Sequence, residues 1–188
     1  MVVFLNFALL MTQDVMAKTS KMLVDKRDGQ KYRIVEIGNQ TWMAENLNVK
    51  TQNSGCYRDL SETCKVYGRL YSWESAKKAC PVGWRLPNRK DFEKMISIVG
   101  DAAVKKLMSK KGWMDGPRGT DAYGFSALPG GRRNDGSYDY IGNNAFFWIS
   151  SEYDEDLAYM VWLYQNNEFA SIGVGKKDNR YSVRCIKN

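Results

Sequence analysis

The chain has 188 residues, of which 44% are hydrophobic and 13% aromatic, and its formal net charge is +7 at pH 7. This length supports one domain with a substantial core, and the high hydrophobic and aromatic content excludes an intrinsically disordered protein. Histidine is absent, which excludes Ser-His and Cys-His nucleophile pairs, imidazole zinc sites and the usual proton shuttle. Carboxylate chemistry is still compatible with this composition.

Residues 1–17 have the pattern of a secretory signal peptide. The apolar run VVFLNFALLM is followed by polar residues and by Ala17 at a plausible cleavage point. Because no Lys or Arg precedes the run, a buried first strand is the alternative. We predict a signal peptide over 1–17, a short leader over 18–24 and a single domain over 25–188, with no transmembrane span after the first few positions.

Sequence periodicity predicts a hairpin near the start of the domain. Residues 31–37 alternate in polarity, Gly38 and Asn39 form a turn signal, and residues 40–45 return as a second strand. Residues 46–63 are polar and irregular, so we predict no regular structure there.

Helices are predicted in the middle of the chain. The first spans about 72–80, and the second begins after Asn88, a favourable N-cap, and ends at Gly100. We expect Asp101 to cap a third short helix that runs through Met108.

The second half of the chain begins with turn signals and ends with strands. Residues 112–142 are rich in glycine without clear periodicity, which predicts a long functional loop region. Strands are predicted over 145–151, 158–164 and 180–186, with a weaker one near 168–173. Strands and helices together predict an α+β domain.

Four cysteines, Cys56, Cys64, Cys80 and Cys185, permit three disulfide pairings. We favour Cys56–Cys64, which would staple a local hairpin, and Cys80–Cys185, which would close a loop of roughly a hundred residues. Four reduced cysteines in a cytosolic protein are the alternative.

Several motifs along residues 25–188 carry a family resemblance. They are Asp28–Tyr32 (DGQKY), Ile37–Asn48 (IGNQTWMAENLN), Lys65–Tyr71 (KVYGRLY), Cys80-Pro81, Leu86-Pro87, Phe147–Glu152 (FWISSE) and Ser182–Cys185 (SVRC). Together they resemble the Fibrobacter succinogenes major paralogous domain, a family of bacterial surface proteins.

The resemblance implies a C-type lectin-like fold, shared with formylglycine-generating enzymes. This fold would be a twisted antiparallel sheet with two to three flanking helices, a long loop region and paired N- and C-terminal strands. The resemblance also implies a Cys80–Cys185 bridge from the first helix to the last strand, and a secreted or surface-attached location.

Two activities of related folds are not expected here. Formylglycine-generating enzymes bind copper through a cysteine pair before the last strand, and this chain has no cysteine between Cys80 and Cys185. Calcium-dependent lectins use Glu-Pro-Asn or Gln-Pro-Asp with Trp-Asn-Asp, and none of these triplets occurs. The resemblance therefore supports neither oxidase activity nor sugar binding through that calcium site.

The strand predicted over 158–164 gives the main ligand-binding hypothesis. If Val161 and Leu163 face the core, the alternate residues face outward, and amides follow them. Flat aromatic rings beside amides suit sugar or peptide surfaces. The alternative is that residues 112–142 fold over this stripe and make it a second core. The predicted contact residues are Met160, Trp162, Tyr164, Asn166 and Asn167.

Two charged residues of the loop region complete the predicted site. Arg132 and Asp135 lie in the run Arg-Arg-Asn-Asp-Gly, where a guanidinium fork would bind an anionic group. The alternative for Arg132 is a structural ion pair with an acid such as Glu152. Trp42, Trp73, Trp84 and Trp148 are assigned to the core, and Arg184 to structural ion pairing or stacking.

The acidic run after the 145–151 strand offers a weaker hypothesis. Glu152, Asp154 and Asp156, with the intervening Glu155, are hard oxygen ligands that suit calcium, although a solvated turn is the simpler interpretation. A carboxylate-based hydrolase would use Glu152 with Asp135 or Asp154.

The charge pattern and the motifs lead to one functional prediction. Basic residues occur as scattered doublets, whereas a nucleic-acid protein more often has one concentrated stripe, so no nucleic-acid partner is expected. The scattered charge favours nonspecific adhesion to acidic polymers. We predict a secreted or cell-surface, non-enzymatic module that binds an extracellular polysaccharide or protein without a cofactor. The alternatives are the hydrolase and a purely structural surface module.

Overall fold

The computed structural model describes residues 21–114 and 119–188, and within them the chain is a mixed α+β domain made mostly of strands. The predicted signal peptide lies outside the described residues. The strands are β1 (Met22–Val24), β2 (Lys31–Ile37), β3 (Gln40–Met43), β4 (Ser54–Gly55), β5 (Leu70–Tyr71), β6 (Trp84–Arg85), β7 (Gly130–Asn134), β8 (Ser137–Ile141), β9 (Asn144–Glu152), β10 (Leu157–Tyr164), β11 (Ser171–Lys176) and β12 (Ile186–Lys187). The helices are α1 (Ser61–Tyr67), α2 (Trp73–Ala79), α3 (Arg89–Val99) and α4 (Ala103–Leu107), and Tyr57–Asp59 forms a 3-10 turn.

The strands form two five-stranded sheets and one small pair. The first sheet has the order β1-β2-β3-β12-β6, the second β11-β10-β9-β7-β8, and β4 pairs with β5. Ile186 lies opposite Trp42, so the last strand pairs with β3. The described strand pairs are antiparallel except β7 and β9, which run parallel where Gly131 meets Ala145.

The local signals for the first hairpin and for the second predicted helix are confirmed. Strands β2 and β3 pair from Ile34–Met43 to Ile37–Gln40. Helix α3 begins with a capping box, in which the Asn88 side chain accepts from the Asp91 amide and the Asp91 carboxylate accepts from the Asn88 amide. Each bond joins residues three positions apart, which is why sequence alone predicts this helix.

The predicted cap of the third helix is wrong. Helix α4 begins at Ala103, and its N-cap is Ala102, which has left-handed backbone angles (φ 54°) and makes no side-chain cap bond. The described part of the segment predicted as a short leader, residues 21–24, contains β1, which pairs with β2.

Other differences between prediction and structure occur where backbone pairing joins residues that are distant in sequence. The strand predicted over 180–186 is reduced to β12, because the preceding segment divides its backbone hydrogen bonds among several partners, including Tyr71 and Phe146. The loop predicted over 112–142 contains the hairpin β7–β8. Helix α1 lies partly in the stretch predicted to be irregular.

Both favoured disulfides are present. Cys80 and Cys185 are 105 positions apart in sequence, and their bond joins the end of α2 to the residue before β12. Cys56 and Cys64 are bonded across eight positions. This second bond ties the residue before the 3-10 turn to helix α1, so the prediction that it staples a hairpin is wrong.

Strands β9 and β10 are buried on both faces and therefore supply two hydrophobic cores. Phe147 and Val161 pack with α3 and α4 in one core, whereas Trp148 and Met160 pack with α2 in the other. Alternation along a strand sends successive side chains to opposite faces, so each strand contributes to both cores. Of the tryptophans assigned to the core, Trp42, Trp73 and Trp148 are buried and Trp84 is half-buried.

Arg184 is fully buried and has a structural role. Its guanidinium donates to Asn46 Oδ1 at 2.6 Å and to the carbonyl oxygens of Met43, Phe125 and Ser126, and it lies 4.7 Å from the centre of the Phe125 ring. Burial lowers the pKa of this guanidinium to about 9. The predicted stacking is confirmed, but its hydrogen-bond partners are neutral oxygens rather than an acid.

Within the described ranges, no helix has the length and apolar character needed to cross a membrane.

Candidate functional site

An open cleft of about 380 Å³ lies on the second sheet, and we call it the aromatic cleft. Pairing of β9 with β10 sets Trp162 opposite Phe146 and Tyr164 opposite Asn144. The hairpin β7–β8 adds side chains from the other side. The lining residues are Arg132, Tyr140, Asn144, Phe146, Met160, Trp162 and Tyr164.

Exposure increases from the floor of the cleft to its rim. Met160 is only 3% exposed, Trp162 is half-buried, and Tyr164 and Tyr140 are 39% and 47% exposed. The alternate residues on β10 therefore belong to a second core at Met160, as the alternative interpretation held. At Trp162 and Tyr164 they form an open surface. This gradient is what a site needs to enclose part of a ligand.

Arg132 lies at the boundary between the hairpin and the cleft. Its Nε donates to Asp139 Oδ1 at 2.9 Å, and its guanidinium carbon lies 5.0 Å from the ring centres of both Tyr140 and Phe146. Burial is the largest single effect and lowers the pKa of Arg132, but the hydrogen bond to Asp139 and the attraction of nearby acidic groups together outweigh it, so the net pKa is raised. The predicted partner Glu152 is not used, and Arg132 presents a charged, stacked group to the cleft.

Two features of the cleft are not explained by folding alone. Asn144 is 9% exposed, and its buried Oδ1 accepts no hydrogen bond from any residue that the structure describes. Tyr140 has a left-handed backbone with φ of 61°, which is unusual for a bulky residue. An unsatisfied buried acceptor and a strained aromatic residue both lower stability, and such features concentrate at binding sites.

The other predicted site residues lie outside the lining of this cleft. Asn166 Nδ2 donates to Tyr164 Oη at 3.1 Å, so it orients a rim side chain. Asn167 belongs to the turn after β10, where its amide donates to the Tyr164 carbonyl. Asp135 lies at the β7–β8 turn and forms an ion pair with Lys176 at 2.7 Å.

The acidic residues at the end of β9 and in the turn that follows are exposed to solvent. Glu152 is paired with Lys177, and its side chain is 57% exposed. Asp154 Oδ1 accepts the backbone amides of Asp156 and Leu157, which makes it part of the turn. Among the described residues, no group of three or more His, Cys, Asp or Glu side chains is arranged to hold a metal ion.

The geometry also bears on the hydrolase alternative. Glycosidase chemistry needs two carboxyl groups that face one another across a substrate and differ in pKa. Asp135 and Glu152 are each more than half exposed and each bound to a different lysine. Neither of these two carboxylates is therefore enclosed by the surrounding protein.

Three lining residues were missed by sequence reasoning, namely Tyr140, Asn144 and Phe146. Phe146 lies in the strand predicted over 145–151, Asn144 lies just before it, and Tyr140 lies in a stretch that contained only turn signals. The alternation Tyr138-Asp139-Tyr140 was an available sign of a strand. Nothing in the sequence indicated that this strand would line the same cleft as β10.

Comparison with known proteins supports one family. The model of the Fibrobacter succinogenes major domain matches residues 35–187, which is most of the chain. No curated protein and no solved structure gives a significant match. The matched region contains both sheets' central strands, both disulfides and the complete aromatic cleft. The chain therefore belongs to the Fibrobacter succinogenes major domain family.

Proposed function

We propose that this protein is a secreted or cell-surface binding module without catalytic activity, and that it holds a carbohydrate in the aromatic cleft. The observation that carries this proposal is the orphaned Oδ1 of Asn144 in a cleft walled by Trp162 and Tyr140. A sugar ring stacks its apolar face on an aromatic ring and offers hydroxyl groups that donate to a buried acceptor.

The surrounding chemistry fits an uncharged ligand. Arg132 is already bound to Asp139, so its charge is largely compensated, while its planar face contributes to the stacked wall. The cleft volume of about 380 Å³ lies within the range of small-ligand sites. A purely structural module has no need of such a cleft.

A location outside the cytosol and a C-type lectin-like fold belong to the same proposal. Two disulfides are typical of proteins in oxidising compartments. The pairing of β12 with β3 and the bridge from α2 to the end of the chain support a lectin-like arrangement. A mature N-terminus measured after export from a bacterial host, together with thiol counts before and after reduction, tests the location.

The binding proposal is tested with a glycan array followed by titration of the best ligand. We expect Trp162→Ala to weaken binding at least tenfold, whereas Tyr153→Ala, which removes an aromatic ring exposed to 56% outside the cleft, has no effect. Near-ultraviolet circular dichroism checks that both variants are folded. Binding that survives Trp162→Ala unchanged, or an array with no ligand, contradicts the proposal.

A further inference from the structure

A second concave surface shares no lining residue with the aromatic cleft. It consists of two cavities of about 420 and 520 Å³, which have Gln30, Asn48 and Cys64 in common and are therefore adjacent. Residues around β2, helix α1 and the segment after α4 line it. We call this surface the basic groove.

Basic residues dominate the lining of this groove. Eight of its residues are Lys or Arg, and three are Asp or Glu. Three of the basic residues are already engaged, in the pairs Arg27–Asp25, Arg33–Glu45 and Lys65–Glu62. The other five have no ion pair with any residue in the described ranges, and they are Lys31, Lys50, Arg69, Lys110 and Lys111.

This concentration of positive charge was not predictable from the sequence. The doublet Lys110-Lys111 is separated from Lys31 and Lys50 by about sixty to eighty positions along the chain, and the fold brings them to the same groove. Uncompensated positive charge in a concave surface attracts anionic ligands more strongly than the same charge spread over a convex one. The net charge of +7 is therefore not evenly distributed.

The groove also contains an unused hydrogen-bond acceptor. Asn48 lines both cavities, and its buried Oδ1 accepts no hydrogen bond in the described part of the chain. Its backbone amide is held by Tyr32 Oη at 3.0 Å, so the position of the residue is fixed. A ligand for this groove should thus offer a hydrogen-bond donor as well as negative charge.

We propose that the basic groove binds an acidic polysaccharide, whose carboxylates contact the free lysines and whose hydroxyl groups donate to Asn48. A nucleic acid supplies charge too, but single strands are held mainly by stacking on exposed aromatic rings. The two aromatic residues of the groove are Tyr32, which is buried, and Tyr67, which is half-buried. The lining therefore favours a sugar polymer.

The test uses polygalacturonate with the full-length protein at two salt concentrations. We expect the double variant Lys110→Gln with Lys111→Gln to weaken binding about tenfold and to reduce its salt dependence. The matched control is Lys90→Gln with Lys94→Gln, which removes the same charge from exposed positions of α3 that line no part of the groove. Equal weakening by both double variants would mean that binding depends on the overall positive charge of the protein and not on this groove. That result would overturn the proposal.

Two further measurements identify the ligand class. Asn48→Leu should weaken polygalacturonate binding several-fold without changing its salt dependence, and dextran should not compete. A single-stranded oligonucleotide that bound more tightly than polygalacturonate would overturn the assignment. Trp162→Ala should leave polygalacturonate binding intact, so failure of the aromatic cleft and failure of the basic groove are distinguishable.

Discussion

The indole ring of Trp162 lies directly against Gly173 on the neighbouring strand β11. A Cβ atom at position 173 would be 2.6 Å from Trp162 Cζ3, which is closer than two carbon atoms can approach. Gly173 pairs with Met160, so it lies diagonally across from Trp162 in the sheet. The absence of a side chain at Gly173 thus lets the ring rest on the sheet and form the wall of the aromatic cleft.

Gly173→Ala should displace the Trp162 ring and weaken carbohydrate binding about tenfold, because the added methyl group occupies the place of the ring. Tryptophan fluorescence and ligand titration measure the two effects together. Val174→Ala is the control, since Val174 is on the same strand and is 40% exposed. Unchanged fluorescence and affinity in Gly173→Ala would contradict the described contact.

Tyr140→Asn should separate binding from stability. Asparagine tolerates left-handed backbone angles, so the substitution should relieve about 1 kcal/mol of backbone strain. This relief should offset the lost packing of the ring. The free energy of unfolding should therefore change by less than about 1 kcal/mol. Ligand affinity should fall about tenfold because the rim loses an aromatic face. Denaturant unfolding and titration test this, and a stable variant with full affinity would remove Tyr140 from the site.

The two disulfides should differ in their contribution to stability. In the chain-entropy model, the loop of 105 positions closed by Cys80–Cys185 stabilises by about 5 kcal/mol, and the loop of eight positions closed by Cys56–Cys64 by about 2.5 kcal/mol. Paired Cys→Ser variants compared by chemical denaturation measure this difference. Equal losses, or a larger loss for the short loop, would contradict the expectation.

Asp25 should make stability depend on acid pH. Its hydrogen bonds from the Arg27 side chain hold the pKa of this buried carboxyl below its ordinary value. The stabilisation is therefore present above about pH 4 and is lost as the pH falls through the folded-state pKa.

The matching variant is Asp25→Asn. It should lower the free energy of unfolding by about 1–2 kcal/mol at pH 7, a value reduced because Arg27 is partly exposed to solvent. The difference from the parent should shrink below about pH 4. Unfolding curves at pH 7, 4 and 3 test this, and a difference that stayed constant would exclude Asp25 as the cause.

Arg184→Lys should destabilise the protein by about 2–4 kcal/mol. A single ammonium group cannot reach all four oxygen atoms that the planar guanidinium contacts, and it leaves buried carbonyls unsatisfied. Arg89→Lys, at an exposed ion pair with Glu93, is the control and should leave the unfolding midpoint nearly unchanged. Similar unfolding midpoints for both variants would contradict a structural role for Arg184.

Local features of the fold were predictable because their causes are close in sequence. The Asn88–Asp91 capping box spans three positions, and the β2–β3 hairpin is closed by adjacent turn residues. The alternation of Val161 and Leu163 into a core needs only the two-residue period of a strand. The disulfide pairing was predictable because an even set of four cysteines allows few arrangements.

The cleft was only partly predictable. Met160, Trp162, Tyr164 and Arg132 were predicted as site residues, and the fold brings them together. The partner of Arg132 was not predictable, because Asp139 faces it only once the β7–β8 hairpin has formed. Asn144 was missed for the same reason, since its acceptor is an orphan only after the strands around it have packed.

The sequence by itself determined the family, the main helices and the alternation of β10, because these depend on motifs and on spacings of a few residues. The tertiary structure alone decided which aromatic rings stay open and where positive charge accumulates. Lys31 and Lys110 line one cavity, and Arg132 and Trp162 line another, through strand pairing and packing between distant segments. Such proximity is set by the whole fold, and no local pattern encodes it.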